Sequence, residues 1–246
     1  MAFWVKELRL KTLRDITQTR VESTLQKLRS GGLSGKSLNH AQSVINAFIR
    51  WSVERKKLAA MPWDKLRKFD ESVRPENKRR ALTLEEVGRL LSISPEVHSI
   101  VYETAITTGL RAGELASIRC GDLLNHRPAL LLRGEHAKDR LEAEIPLTSA
   151  LHERLQELVD GKAEEAQLFD SFPFHHSART IEHDLKIAGL RKHASDGKVD
   201  FHSLRTTSVT LGLASGADPR TIQQLARHKS LTMTDAYARV IPERVE

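Results

Sequence analysis

Six side chains in this sequence are of the types that break and remake a phosphate ester without a metal ion. They are Arg111, Lys138, His202, Arg205, His228 and Tyr237. The transition state of an attacked phosphodiester carries about two negative charges, which two guanidiniums can clamp in bidentate fashion. A histidine can shuttle a proton, and a lysine can protonate the departing alkoxide. A tyrosine hydroxyl can attack phosphorus and give a covalent intermediate. The unperturbed phenol titrates near a pKa of about 10, so neighbouring cations must favour the phenolate. Each residue alone has a plainer account. Arg111 can simply pair with Glu114 three positions on, Lys138 can be a solvated turn lysine, and a tyrosine on a helix usually packs half-buried. The set as a whole points to chemistry.

The elements that would position these residues are legible. His202 and Arg205, in FHSLR, are three apart and project from one face of a helix start, with the helix expected over 202–214. Arg111 follows Gly109, where an apolar helix pair over 97–115 breaks. Lys138 lies in EHAKDRLE, between strands expected at 129–133 and 143–147. Thr83 and Glu86 form a capping-box pattern before LEEVGRLL. Further helices are expected over 150–159, 180–188, 219–226 and 232–240. The N-terminal part reads as two helices, the first capped by Thr17 and ended by Gly31-Gly32, the second over 37–57. The expected fold is mainly α with a small antiparallel β-sheet, an α+β arrangement dominated by helices.

Composition narrows the class. The chain has 246 residues, 39% hydrophobic and 29% charged, with one cysteine, Cys120. One cysteine excludes an internal disulfide framework and multi-cysteine metal sites. No stretch approaches the ~18 apolar residues of a membrane span, and the N-terminus meets charge too early for a signal peptide. A soluble cytosolic protein, neither secreted nor membrane-bound, is expected. Charge is divided unevenly. Residues 1–80 hold 19 Lys+Arg against 8 Asp+Glu, whereas residues 81–246 hold 20 against 24. A basic module on a near-neutral remainder suits a polyanion partner. Its candidate DNA contacts are Lys36, Arg50, Arg55, Lys56, Lys57, Lys78, Arg79 and Arg80. The expected division is a helical DNA-binding domain at 1–70, a basic linker at 71–80 and a catalytic domain at 81–246. The whole stretch 64–80 is charged and lacks an apolar period for a core helix. It reads as a connector, or as a strap along a phosphate backbone.

The motifs resemble the tyrosine recombinases of the phage-integrase type. TGLRAGEL is similar to that family's first arginine motif, placing its arginine at Arg111 and its supporting acid at Glu114. The hairpin lysine corresponds to Lys138. The HxxR motif is His202-Ser203-Leu204-Arg205. The LGH motif is similar to Leu225-Ala226-Arg227-His228, with Arg227 where the glycine usually stands. The nucleophile, nine residues past that histidine, falls on Tyr237. The N-terminal helices are similar to the family's core-binding domain. The resemblance implies a site-specific recombinase acting on double-stranded DNA through a 3′-phosphotyrosine link, without metal, cofactor or ATP, and as a homotetramer on DNA. It also implies a helix ahead of the one at 17–29, for which the N-terminal stretch looks short. Nine residues follow Tyr237, which suggests a monomer in free solution that assembles on DNA.

Other readings remain at this point. The segment PRTIQQLARHKSLTMTDAYARV can be read as a helix-turn-helix of a non-catalytic regulator. A type IB topoisomerase would use a similar constellation to relax DNA. A metal nuclease would need converging carboxylates, for which Asp170 with His175-His176, or Glu182, His183 and Asp184, are the available residues.

Overall fold

The computed structural model describes residues 1–72 and 78–227. The chain divides into two compact units, Met1–Val73 and Arg74–Glu246.

The first unit is helical: α1 (Ala2–Leu8), α2 (Gln18–Ser30) and α3 (Gly35–Glu54). Thr17 caps α2 by accepting from the Arg20 amide, and Ser34 caps α3 by accepting from the Ser37 amide. Leu38, Ile45 and Ile49 recur at helical spacing on α3 and are fully buried against Val21 and Leu25 of α2. Burying each such side chain stabilises the fold by roughly 1.5–3 kcal/mol. The short N-terminal stretch does hold a helix. Trp4 is fully buried, and its indole N–H donates to the Ala41 carbonyl of α3 at 2.9 Å.

Residues 64–72 contain no helix but are not a free connector. Leu66 is buried, and the Asn39 side chain of α3 pairs with both the amide and the carbonyl of Phe69 at 2.9 Å. Gln42 donates to the Arg67 carbonyl at 2.7 Å. Two amide side chains on one face of α3 thus supply partners that a strand or helix would otherwise give this backbone.

The second unit begins its helices with α4 (Leu84–Ile93), whose capping box from Thr83 and Glu86 is formed as the sequence predicts. It continues through α5 (Glu96–Thr108), α6 (Ala112–Leu115), α7 (Ser149–Val159), α8 (Ser177–Ile187), α9 (Phe201–Ala214) and α10 (Pro219–Leu225). Strands β1 (Ala129–Leu132) and β2 (Ala143–Pro146) pair antiparallel, Leu130 opposite Ile145. A second hairpin, β3 (His193–Ala194) with β4 (Gly197–Lys198), was not foreseen. The fold is mostly helical with small antiparallel sheets. Its core packs α5 centrally among α4, α7 and α9. Tyr102 on α5 is fully buried and donates to the Asp184 carboxylate of α8 at 2.7 Å, and His98 reaches the same oxygen.

Part of the expected linker belongs to this unit. The Lys198 amide donates to the Lys78 carbonyl at 2.7 Å, and the Arg80 amide donates back to Lys198 at 3.0 Å. Residues 78–80 therefore lie as a short parallel bridge beside β4. Gly197 permits this approach, because a Cβ there would sit 2.7 Å from the Lys78 carbonyl oxygen.

Candidate active site

Two breaks in helical structure set the site. Gly109 ends α5 in the left-handed region (φ 64°), which an L-residue adopts only at a cost. Two residues on, Arg111 stands at the N-cap of α6 with extended backbone. Its amide donates to Glu114 Oε2 and its Nη1 to Glu114 Oε1, both at 2.9 Å. The carboxylate that caps the helix therefore also aims the guanidinium. The pairing of Arg111 with Glu114 is real, and it leaves the arginine a quarter exposed.

The second break precedes α9. Asp200 caps this helix, accepting from the Ser203 amide at 3.2 Å, so His202 and Arg205 fall in its first turns. Arg205 is buried. Its Nη1 donates to the Gly109 carbonyl and its Nη2 to the Ala226 carbonyl. One side chain thus joins the turn before Arg111, helix α9 and the end of α10.

These elements open a cleft of about 240 Å³, whose lining includes Arg79, Arg111, Asp200, His202, Arg205 and Ser177. Three of the residues singled out by chemistry, Arg111, His202 and Arg205, meet there. Lys138 does not line it. It lies exposed on the β1–β2 connection, without a side-chain hydrogen bond or ion pair among the described residues. His228 and Tyr237, and the helix expected over 232–240, lie outside the described residues.

Glu114 is buried and shared. Arg227 Nη2 donates to its Oε2 at 2.7 Å. Burial pushes the Glu114 carboxyl up, but the Arg111 amide and the Arg227 and Arg111 guanidiniums outweigh this and hold it below its ordinary 4.5. Arg227, at the position matched to a glycine, keeps a left-handed backbone (φ 51°). Its Nε and Nη1 are buried without a hydrogen-bond partner among the described residues.

The cleft favours neutral imidazole. The protein packed around His202 lowers its pKa from 6.5 first, then Arg79, Arg205 and Arg111 add to the effect while Asp200 opposes it, although the residue remains exposed. Asp200 is itself lowered: burial raises it most, but the bond from Arg79 together with the charges of Arg79, Lys198 and His202 outweighs burial. Sequence reasoning missed Asp200, though an acid three residues before Ser203 at a helix start is a readable cap.

The other charged candidates sort by environment. Lys36, Arg50, Arg55, Lys56 and Lys57 are exposed on or just after α3, and Lys78 is exposed beside β4. Arg80 is turned inward, bound through both Nη atoms to Glu86 at 2.7 Å. The residues considered for a metal are engaged otherwise: Asp170 with Lys162, Glu182 with Lys192, and Asp184 with Tyr102 and His98. Among the described residues, no group of three or more His, Cys, Asp or Glu side chains is placed to hold a metal ion. No helix among them is long and apolar enough to cross a membrane.

Two guanidiniums and an imidazole facing one cleft are groups that can hold a phosphate ester and move a proton beside it. Comparison identifies the family. Residues 80–244 match the phage integrase family, and the chain belongs to that family. It is similar to tyrosine recombinase XerA of Thermococcus onnurineus (strain NA1), 26% identical over 234 residues, which cover 90% of this chain and 77% of that protein. It is similar to tyrosine recombinase XerC of Listeria innocua serovar 6a, 30% identical over 158 residues, covering 60% of this chain and 51% of that protein. Among solved structures, a lambda integrase (75–356) dimer bound to a COC′ core site matches with TM-score 0.76 at 21% identity, covering 98% of this chain and 86% of that one. A Tn1549 transposon integrase bound to circular intermediate DNA matches with TM-score 0.70 at 15% identity, covering 90% and 80%. These two likenesses show the fold. With the family match they make the chain a tyrosine recombinase, an enzyme of site-specific DNA recombination.

Proposed function

We propose that this enzyme cuts and rejoins duplex DNA through a 3′-phosphotyrosine intermediate. The observation that carries the reading is the cleft that gathers Arg111, His202 and Arg205 from two distant stretches of sequence. Arg111 and Arg205 hold the non-bridging oxygens of the scissile phosphate. The Tyr237 oxygen attacks phosphorus as the bond to the 5′-oxygen breaks. Neutral His202 assists removal of the tyrosine proton, His228 hydrogen-bonds the phosphate, and Lys138 delivers a proton to the leaving 5′-oxygen. For Lys138 this requires the β1–β2 connection to bring its ammonium toward the cleft when DNA binds. Rejoining reverses the steps with a 5′-hydroxyl of the partner strand, so the ester energy is kept and no nucleotide is consumed.

The exposed cations of the first unit would track the phosphate backbone, supplying salt-dependent affinity. Four protomers on two duplexes would complete exchange, in the compartment that holds the DNA. A lambda integrase tetramer bound to a Holliday junction has the same fold, with TM-score 0.74, which supports this stoichiometry.

The test is a nicked duplex carrying the recombination site, incubated with enzyme in EDTA. A denaturant-resistant protein–DNA adduct is expected, lost in Tyr237→Phe with duplex binding retained. An adduct in Tyr237→Phe, or cutting that requires Mg²⁺, would overturn the mechanism. Relaxation of supercoils without joining of two duplexes would replace recombination by topoisomerase action.

A further inference from the structure

We propose that Arg79 is a third phosphate-binding cation of the cleft, delivered by the docking of residues 78–80 on β4 and aimed by Asp200. The proposal rests on the recombinase reading for the identity of the ester, and on geometry for the residue.

Successive residues of an extended segment project to opposite sides. Lys198 bonds to the backbone on either side of Arg79, at Lys78 and Arg80, which fixes that segment. Arg80 is thereby directed to Glu86, and Arg79 to the cleft. The Arg79 Nε donates to both carboxylate oxygens of Asp200, at 2.9 and 2.8 Å. Both Nη groups are left without a bond among the described residues, and the side chain stays 46% exposed. A guanidinium held at its Nε and open at its fork is ordered before an anion arrives, so little rotamer freedom remains to be lost.

Asp200 makes this cation necessary. It must cap α9 to place His202 and Arg205, yet its carboxylate lines the cleft and would repel a phosphate. Arg79 neutralises it at contact distance, with Lys198 Nζ 3.7 Å away. The two remaining nitrogens of the same arginine can then meet an anion in the cleft that Arg111 and Arg205 also line.

The experiment compares wild type, Arg79→Gln and Arg79→Lys on two nicked duplexes. One carries an ordinary scissile phosphate, and the other a methylphosphonate that lacks the charge. Arg79→Gln should form adduct about tenfold more slowly on the phosphodiester, with much less loss on the methylphosphonate. Arg79→Lys should recover a substantial part. Equal loss on both substrates would mean that Arg79 merely holds the fold, and an unchanged rate would mean that it does nothing; either result overturns the proposal. Inorganic phosphate, titrated while following the His202 ring by NMR, provides an arm independent of recombination. Arg79→Gln should bind phosphate several-fold more weakly than wild type, and equal affinity would overturn the proposal. A wild type that makes no adduct sinks the recombinase reading, while this arm still decides the role of Arg79.

Discussion

The two units use the same kind of side chain in opposite ways. On the first unit, Lys36, Arg50, Arg55, Lys56 and Lys57 stand in solvent, with no ion pair or side-chain hydrogen bond among the described residues. In the second unit, each arginine of the cleft is already held: Arg79 by Asp200, Arg111 by Glu114, Arg205 by two carbonyls. Free cations contribute affinity by releasing counterions and tolerate any register along a backbone. Held cations have lost their rotamer freedom during folding, so they can favour one geometry of one phosphate. On the proposed reading, charge that binds and charge that reacts differ in whether the protein has engaged it beforehand.

The largest effect should come from breaking the held set. Arg205→Ala should slow adduct formation by about 10³-fold, on the order of 4 kcal/mol, while duplex affinity changes little. Quenched-time assays on the nicked substrate measure the first quantity, and fluorescence anisotropy the second. A parallel collapse of affinity would erase the distinction between the units.

Next in size is the shared carboxylate. Glu114→Gln leaves the buried Arg227 without its counter-charge, a kind of change that costs about 3–5 kcal/mol. Urea denaturation should show that loss, and adding Arg227→Met should recover much of it. Additive losses in the double variant would show that the two residues do not act as a pair.

Acid should sharpen the contrast further. Glu114 and Asp200 have folded-state pKa values below their ordinary 4.5 and 3.8. Their contribution to stability is complete above those ordinary values and is lost as pH falls through the lower folded ones. The urea midpoint should therefore drop in that acid window, and Glu114→Gln should remove part of the drop. His202 acts in the other sense: its lowered pKa keeps it neutral at pH 7. The acid limb of the adduct rate should lie below pH 6.5 and move upward in Arg79→Gln.

The smallest effect is expected for single cations of the first unit. Lys36→Ala or Arg50→Ala should weaken duplex binding uniformly across sequences and reduce the salt slope by about one each. Titrations at several salt concentrations measure this, with the adduct rate at saturating DNA unchanged.

The sequence was most readable where side chains carry the pattern. Thr17 and Thr83 cap the helices they were expected to cap, the strand pair brackets Lys138, and the break at Gly109 falls where proposed. It was least readable where backbone atoms do the work. The β3–β4 hairpin has two residues per strand, too few for any alternation, and the docking of 78–80 on it uses amides and carbonyls that every residue possesses. The charge of residues 64–80 suggested a strap, with Lys78, Arg79 and Arg80 as like cations at its end. Structure separates them: one faces solvent, one the cleft and one Glu86. Helix α1 was implied only by the resemblance and not by the residue pattern, because seven residues with Lys6 and Glu7 show no period, although Trp4 anchors it.

The grip of Arg205 on Gly109 and Ala226 has a consequence for motion. A buried side chain that bonds two remote carbonyls makes their local openings interdependent, since neither segment can leave without stranding a charged group from its partners. Amides around the α5–α6 turn and those at the end of α10 should therefore exchange with deuterium as one cooperative unit. The cleft of Arg111, His202 and Arg205 and the end of α10 would then share a single breathing mode, so that a ligand protecting one from exchange protects the other.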